Sequence, residues 1–321
     1  MEGIAKQINY EILQAEKILI IPHKNPDGDA LGSISALVEY LLSRGIEPEI
    51  FCHTDVQNKY FFLPHLHLIK NDPLIFTDEK IDLIIVVDTG DLTHAGVDQY
   101  LKNHPAKVVN IDHHHTNPKY GHLNLVAANF SSTTQIIYNF FRYNNIAINH
   151  QIATCLLTGL ISDTENFTNG ATTSLAMSTA GELVRYGANY KLINNWLLKN
   201  KTLNILRLWG LALSRLQKHE QMDLVYTYLN QEDFQKYEVE ENETDGIANF
   251  LNKLDGAKVS LILKETADQK TKGSFRTTFN DTDVSAIAKH LGGGGHKKAS
   301  GFVYGGNKED VLKKIAEVHK N

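Results

Sequence analysis

Short, wholly apolar runs that break off at an acidic or imidazole side chain organise the first half of the chain. Ile18–Ile21 (ILII) leads into Pro22-His23-Lys24-Asn25-Pro26-Asp27-Gly28-Asp29, and Leu83–Val87 (LIIVV) leads into Asp88-Thr89-Gly90-Asp91. Lys107–Ile111 (KVVNI) leads into Asp112-His113-His114-His115. Aliphatic runs without polar alternation suit strands buried on both faces, and such strands occur almost only in parallel sheets covered by helices. Helical spacing lies between or after them, over Ala30–Leu42, Ser132–Tyr143 and Gln151–Ile161, and Pro48–Cys52 reads as a further strand. The expected fold class is α/β with a parallel sheet. In such sheets the carboxyl ends of the strands line the ligand crevice.

Beyond residue 170 the pattern changes. Ala171–Leu216 is helical and polar-punctuated, and it reads as a domain connection. Strands then return at Leu224–Leu229, Val259–Leu263, Gly273–Phe279 and Gly301–Tyr304, with helices at Glu243–Leu254, Ser285–Leu291 and Glu309–Lys320. This predicts a second, smaller α/β domain. The whole chain, 321 residues and 42 % apolar, is long enough for two cores.

Charge and cysteine usage exclude several classes. A net charge of −5 lacks the basic excess expected of a protein that coats long DNA or RNA. Cys52 and Cys155 stand far apart in apolar surroundings, which excludes a disulfide framework or a CxxC zinc knuckle and suits a reducing cytoplasm. The first residues, MEGIAKQINYEILQAEK, form an amphipathic helix pattern without a signal-peptide core. The longest apolar runs, such as Ile81–Val87, are too short to cross a bilayer, so no membrane partner is expected.

The acids and histidines at the strand ends carry the chemistry. A fourth segment, Ser162-Asp163-Thr164, follows the apolar helix CLLTGLI. Four or five carboxylates converging on one crevice would repel by several kcal/mol unless a cation neutralised them. Carboxylates mixed with imidazole suit Mn²⁺, Mg²⁺, Fe²⁺ or Zn²⁺, and paired ions about 3.5–4 Å apart are a common solution for phosphoryl hydrolysis. A lone strand-terminal Asp is usually a cap or turn former, so Asp91, Asp98 and Asp281 are read that way. His53, His65, His67, His94, His104 and His122 are read as surface or core histidines.

In combination, the segments resemble the DHH phosphoesterase superfamily. HKNPDGDALGS is similar to its first motif, VVDTGD to the second, NIDHHHTN to the third and GLISDTENF to the fourth. In the second half, Gly292–Gly301 (GGGGHKKASG) is similar to the GGGHxxASG signature of the DHHA1 domain. KGSFRTT at Lys272–Thr278 resembles the strand that carries that domain's substrate arginine, with Thr277 where the family commonly has Ser. The likeness is greatest to the nanoRNase/pAp-phosphatase branch.

The resemblance implies a DHH catalytic metal-binding domain over 1–186, a helical linker over 187–220 and a DHHA1 substrate-binding domain over 221–321. It implies two divalent ions, Mn²⁺ or Mg²⁺. One would be held by His23, Asp27 and Asp88, the other by Asp29, Asp88, His113 and Asp163, with Asp88 bridging. His114 would contact the scissile phosphate; His115 stays unassigned. Arg276, Gly293, Gly294, Gly295, His296 and Ser300 would bind substrate, the glycines by letting backbone amides approach a phosphate.

The implied activity is hydrolysis of short oligoribonucleotides and of 3′-phosphoadenosine 5′-phosphate. The alternatives carried beside it are a cyclic-di-AMP or pApA phosphodiesterase and a catalytically silent nucleotide-binding regulator on the same fold. Inorganic pyrophosphatase is disfavoured because the GGGGH segment stands where that branch has an Arg/Lys-rich signature. Long nucleic acid is not an expected partner, and a homodimer is left open.

Overall fold

The apolar runs become strands, with helices between them, and their acidic ends come together. In the computed structural model the chain is described over residues 1–198, 201–219, 222–244, 246–251, 254 and 256–319. It divides into two units, Met1–Asn200 and Lys201–Asn321. The first begins with α1 (Glu2–Gln14), β1 (Ile18–Ile21), α2 (Gly28–Ser43), β2 (Glu49–Phe51), β3 (Ile69–Lys70) and β4 (Leu83–Val87). It continues with α3 (Leu92–Ala95), α4 (Asp98–Leu101), β5 (Lys107–Asp112), β6 (Leu123–Val126), α5 (Thr133–Tyr143), α6 (His150–Asp163), α7 (Ser174–Arg185) and α8 (Tyr190–Ile193).

Among the described residues, the six strands form one sheet in the order β3-β2-β1-β4-β5-β6, and every pairing is parallel. Alternate side chains enter opposite cores, as a period of two requires. Ile18, Ile20, Ile85, Val87, Val109 and Ile111 meet residues of α1, α2, α5 and α6. Leu19, Ile21, Ile84, Val86 and Val108 meet Ala95, Leu101 and Phe76 on the other face. The chain winds outward from β1 to β3 and then restarts at β4 on the other side. The β1–β4 boundary is therefore a switch point, where doubly wound sheets open a crevice. Strands β3 and β6 were not expected; β3 has only two residues and β6, interrupted by Asn124, buries only every second side chain, so neither has a buried-strand signature.

Two helices approach closely because side chains are missing between them. A Cβ at Gly32 of α2 would lie 2.5 Å from the Cys155 carbonyl oxygen of α6, and one at Gly28 would lie 2.7 Å from Ser162 Cβ. The contact sets how near the acids of α2 and the end of α6 can come.

The second unit comprises α9 (Leu203–Ser214), β7 (Gln217–His219), β8 (Leu224–Leu229), α10 (Gln231–Tyr237), α11 (Ile247–Leu251), β9 (Val259–Glu265), β10 (Thr271–Arg276), α12 (Val284–His290), β11 (Gly294–His296), β12 (Ala299–Tyr304) and α13 (Lys308–His319). Its sheet runs β11-β12-β10-β9-β8-β7, antiparallel except for the β8–β9 pair. The core gathers Leu261, Leu263, Phe275, Val284, Ala288 and Phe302. Of the expected helix Glu243–Leu254, residues 245, 252 and 253 lie outside the described residues, as do 199, 200 and 220 of the expected linker. Part of the glycine segment pairs as strand β11 rather than forming an open loop.

Two glycine substitutions should act with opposite sign. Gly32→Ala drives a methyl against a backbone carbonyl that cannot yield, and overpacking of about 1–3 kcal/mol outweighs the roughly 1 kcal/mol gain in helix propensity. Gly210 of α9 is exposed and nothing lies within 4 Å of its Cβ position, so Gly210→Ala should stabilise by up to about 1 kcal/mol. Urea midpoints of the two variants should therefore move apart around that of the parent chain.

Candidate metal centre

Every acid or imidazole that the sequence placed at a metal lies in one cluster at the β1–β4 switch point. His23 and Asp27 follow β1, Asp88 follows β4, and His113 follows β5; Asp29 lies in the first turn of α2 and Asp163 ends α6. Among the described residues, three overlapping sets each have ligand atoms within 4.8 Å of one another: His23, Asp27 and Asp88; Asp29, His113 and Asp163; Asp88, His113 and His114.

Asp88 joins the sets. Its Oδ2 lies 3.6 Å from His23 Nε2, while its Oδ1 lies 3.6 Å from His113 Nε2. The two oxygens of one carboxylate thus face two different imidazoles. Asp88 sits at φ +54°, in the left-handed region, which Asp tolerates better than most residues but which still costs energy. Its amide donates to the Ile111 carbonyl at 3.0 Å, and Thr133 Oγ1 donates to its Oδ1 at 3.0 Å.

The histidines are set by their outer nitrogens. His23 Nδ1 lies 2.6 Å from the Lys24 carbonyl and donates to it, which leaves Nε2 to face Asp88 and, at 3.9 Å, Asp27. His113 Nε2 lies 3.1 Å from Asp163 Oδ2. His114 Nδ1 donates to Asp112 Oδ1 at 2.7 Å, so its Nε2 is the nitrogen turned elsewhere. Asp112 is fully buried, and its other oxygen accepts from Asn117 Nδ2 at 2.6 Å. Asn117 also donates to the Thr89 carbonyl at 3.2 Å, tying the loop after β5 to the end of β4.

The start of α5 supplies what the sequence did not reveal. The buried carboxylate of Asp29 accepts from the backbone amides of Thr133 and Thr134 at 2.6 and 2.9 Å, and from Thr134 Oγ1 at 2.8 Å. These donors, with the positive end of the helix dipole, stabilise an anion in a buried place. Gly159 of α6 makes room: a Cβ there would lie 2.5 Å from Asp29 Oδ1 and 2.4 Å from Thr134 Cγ2. Ser-Ser-Thr-Thr at the start of a helix reads as ordinary capping, and only the fold aims it at Asp29. Asp163, in contrast, ends a helix, where the dipole disfavours its charge.

Electrostatics shows a cluster short of positive charge. Burial, then the neighbouring charges of Asp88 and Asp27, push Asp29 well above the usual carboxylate range. Burial, then Asp29, Asp27 and Asp88, do the same to Asp163. Burial alone would lower the His23 imidazole, but Asp27 and Asp88 outweigh it and hold the group up at about 11. The Asp112 hydrogen bond raises His114. Buried oxygen donors with available imidazole nitrogens and a deficit of positive charge fit a divalent cation, which would replace the retained protons.

The second group of expected residues stands in the other unit, on three adjacent strands. Arg276 of β10 pairs with Ala299 of β12, and Ala299 pairs with His296 of β11. Directly paired residues project to the same face of a sheet, so the arginine and the exposed histidine flank one small residue there. Arg276 Nε donates to Asn249 Oδ1 and Nη1 to its neighbour's carbonyl, both at 2.8 Å. Gly294 faces open space, whereas a Cβ at Gly293 would lie 2.1 Å from the Gly301 carbonyl oxygen. Gly295 has φ +134° and lies against Ala299 and Ser300. Ser300 turns inward, its buried hydroxyl donating 2.7 Å to the Val284 carbonyl. Gly293 and Gly295 thus serve the packing of the hairpin, and the Ser300 hydroxyl serves its attachment to α12.

Metal removal should make stability depend on pH in a set direction. Above about pH 6.5 the unfolded chain has released the proton of His23, which the folded, metal-free cluster keeps up to about pH 11. Asp29 and Asp163 act with the same sign from lower pH, because the fold holds their protons more tightly than the open chain does. Stability of the chelated protein therefore falls as pH rises. Thermal unfolding in EDTA and in excess Mn²⁺ should give a stabilising increment that grows from pH 6.5 to pH 8.5; a flat or shrinking increment would contradict this electrostatic picture.

Comparison with known proteins agrees with both units. Residues 17–160 match the DHH family, N-terminal domain, and residues 221–321 match the DHHA1 domain. The chain is 30 % identical to the bifunctional oligoribonuclease and PAP phosphatase NrnA of Thermus thermophilus, over 94 % of this chain and 91 % of that one. It is 27 % identical to the protein of the same name in Bacillus subtilis, over 89 % and 88 %. The crystal structure of an exopolyphosphatase-related protein from Bacteroides fragilis superposes with a TM-score of 0.91 at 22 % identity, covering all of this chain and 96 % of that one, and so shares the fold. The chain belongs to the DHH family and carries its N-terminal domain together with a DHHA1 domain.

Proposed function

We propose that this chain is a phosphoesterase that uses two divalent ions, Mn²⁺ by preference and Mg²⁺ as a substitute, to hydrolyse short oligoribonucleotides and 3′-phosphoadenosine 5′-phosphate. The observation that carries the reading is Asp88, whose two oxygens face separate imidazoles within overlapping ligand sets. One ion would rest on His23, Asp27 and Asp88, and the other on Asp29, Asp88, His113 and Asp163. The names of the relatives from Thermus and Bacillus support the same substrate classes. Two free, buried cysteines suit a reducing cytoplasm. Among the described residues no helix is long and apolar enough to cross a membrane.

Divalent ions bound there supply Lewis-acid charge to the phosphoryl group and acidify the attacking water. The protein's own part is to hold and orient. The hydrogen bond to Asp112 turns the His114 imidazole and favours its protonated form, in which Nε2–H can donate to a phosphoryl oxygen as negative charge grows on it. Thr133, Thr134 and the start of α5 keep Asp29 and Asp88 in place while charge is redistributed. In the DHHA1 unit, Arg276 and His296 flank Ala299 and would bind a phosphate or base of the substrate. Binding energy gained at groups that do not react helps to position the reacting ester. With a net charge of −5, extra nucleotides gain little, so chains of roughly two to five residues are favoured over long RNA.

Mn²⁺-dependent turnover of RNA of about 3 and about 24 nucleotides, with 3′-phosphoadenosine 5′-phosphate, pApA and pyrophosphate beside them, tests the assignment. The short RNA and the bisphosphate should be cleaved best; equal kcat/KM on the long RNA would point to a general nuclease. Asp88→Ala should abolish turnover with the fold retained.

His114→Ala should lower kcat by about 10²–10³-fold with little change in KM. A rise in KM alone would remove its role in charge stabilisation. Arg276→Ala should depress activity on short nucleotides far more than on bis-p-nitrophenyl phosphate, and equal loss on both would place the arginine outside substrate binding.

A further inference from the structure

We propose that His94 is a positioning residue for His23, clamping the imidazole whose Nε2 faces the cluster. The inference rests on reading His23 as a metal ligand. Three contacts close a ring around that imidazole. His23 Nδ1 donates to the Lys24 carbonyl at 2.6 Å. The Lys24 amide donates to the His94 carbonyl at 3.0 Å. The His94 ring then lies flat on the His23 ring, with centroids 4.9 Å apart and planes 5° from parallel.

The contacts restrain different motions. The hydrogen bond selects the tautomer and sets the rotation of the ring about its own axis. The stack covers one face, so the ring cannot swing that way out of its plane. Outer partners of metal-binding histidines are commonly carboxylates or carbonyls; here a carbonyl supplies one restraint and an aromatic face the other.

His94 is itself anchored well enough to serve as a clamp. Its amide donates to Asp91 Oδ1 at 2.9 Å, at the start of α3. Gly96, at φ +73°, ends that helix, and a Cβ there would lie 2.1 Å from Lys24 Cε, so the lysine stem packs on the turn behind it. The residue is exposed and belongs to none of the ligand sets among the described residues, which separates it from the ligands themselves. What it presents to His23 is a flat ring, and a phenyl ring of similar outline should substitute.

Calorimetric titration of Mn²⁺ into the chelator-treated full chain tests this, with His94→Ala, His94→Phe and His23→Ala beside the parent. Loss of an outer partner ordinarily weakens metal affinity by 10- to 100-fold; loss of one stacked face should fall at the lower end, about 10-fold. His94→Ala is expected to show that loss, and His94→Phe to recover to within about 3-fold of the parent. Thermal unfolding in EDTA should be alike for the parent and both His94 variants. Parent-like affinity in His94→Ala overturns the proposal, as does a His94→Phe variant as weak as the alanine. A lowered midpoint in EDTA for His94→Ala, with affinity lost in step, also overturns it, in favour of general stability. Unchanged affinity in His23→Ala would instead remove the metal reading, and this inference with it.

Discussion

Mutual repulsion among buried carboxylates is the constraint around which the first unit is built. Asp29 and Asp88 lie out of water and the Asp163 side chain is 16 % exposed, and the three belong to ligand sets that share Asp88 or His113. Like charges so placed raise each other's affinity for protons, and the fold offsets this only in part. Three donors from the start of α5 serve Asp29, one hydroxyl serves Asp88, and the imidazoles of His23 and His113 stand beside them. The glycines on α2 and α6 follow from the same requirement, because a side chain at Gly159 would occupy the space of the Asp29 carboxylate. What remains is a shortage of positive charge, which selects for cations.

Legibility in the sequence tracks how local each signal is. His23, Asp27, Asp88 and His113 could be read because each follows an unmistakable buried strand, and the parallel sheet aligns strand ends without help from anything distant. Asp163 could be read from its place at the close of an apolar helix. Thr133 and Thr134 could not, since a run of hydroxyl residues at the start of a helix is the ordinary signature of a cap. Asp112 was visible within the triplet but unassigned, because its partners, His114 and Asn117, are fixed by a turn. His94 looked like a surface histidine, and its stack on His23 joins segments about seventy residues apart.

The DHHA1 unit shows the reverse case, in which a strong motif was read but individual residues in it do different work. The glycine segment was expected to open its backbone to an anion. Gly294, in β11, instead pairs with Gly301, and Gly293 and Gly295 are required by the close approach of β12. Ser300 carries the hydroxyl that joins the hairpin to α12. Arg276 and His296, in contrast, stand on one face across a narrow residue, an arrangement that spacing along the chain does not disclose because it depends on strand pairing.

The left-handed backbone at Asp88 narrows what this position can become over evolutionary time. Chemistry asks for a carboxylate with two usable oxygens, and the φ of +54° disfavours β-branched and bulky side chains. The residues most at ease in such a turn are glycine, asparagine and aspartate itself. The least strained replacements are therefore those that keep the turn and silence the chemistry. A lineage that lost selection for activity could drift to asparagine or glycine here with its sheet and cores intact, and leave behind inert descendants that are structurally sound and differ from their working ancestors by a single side chain.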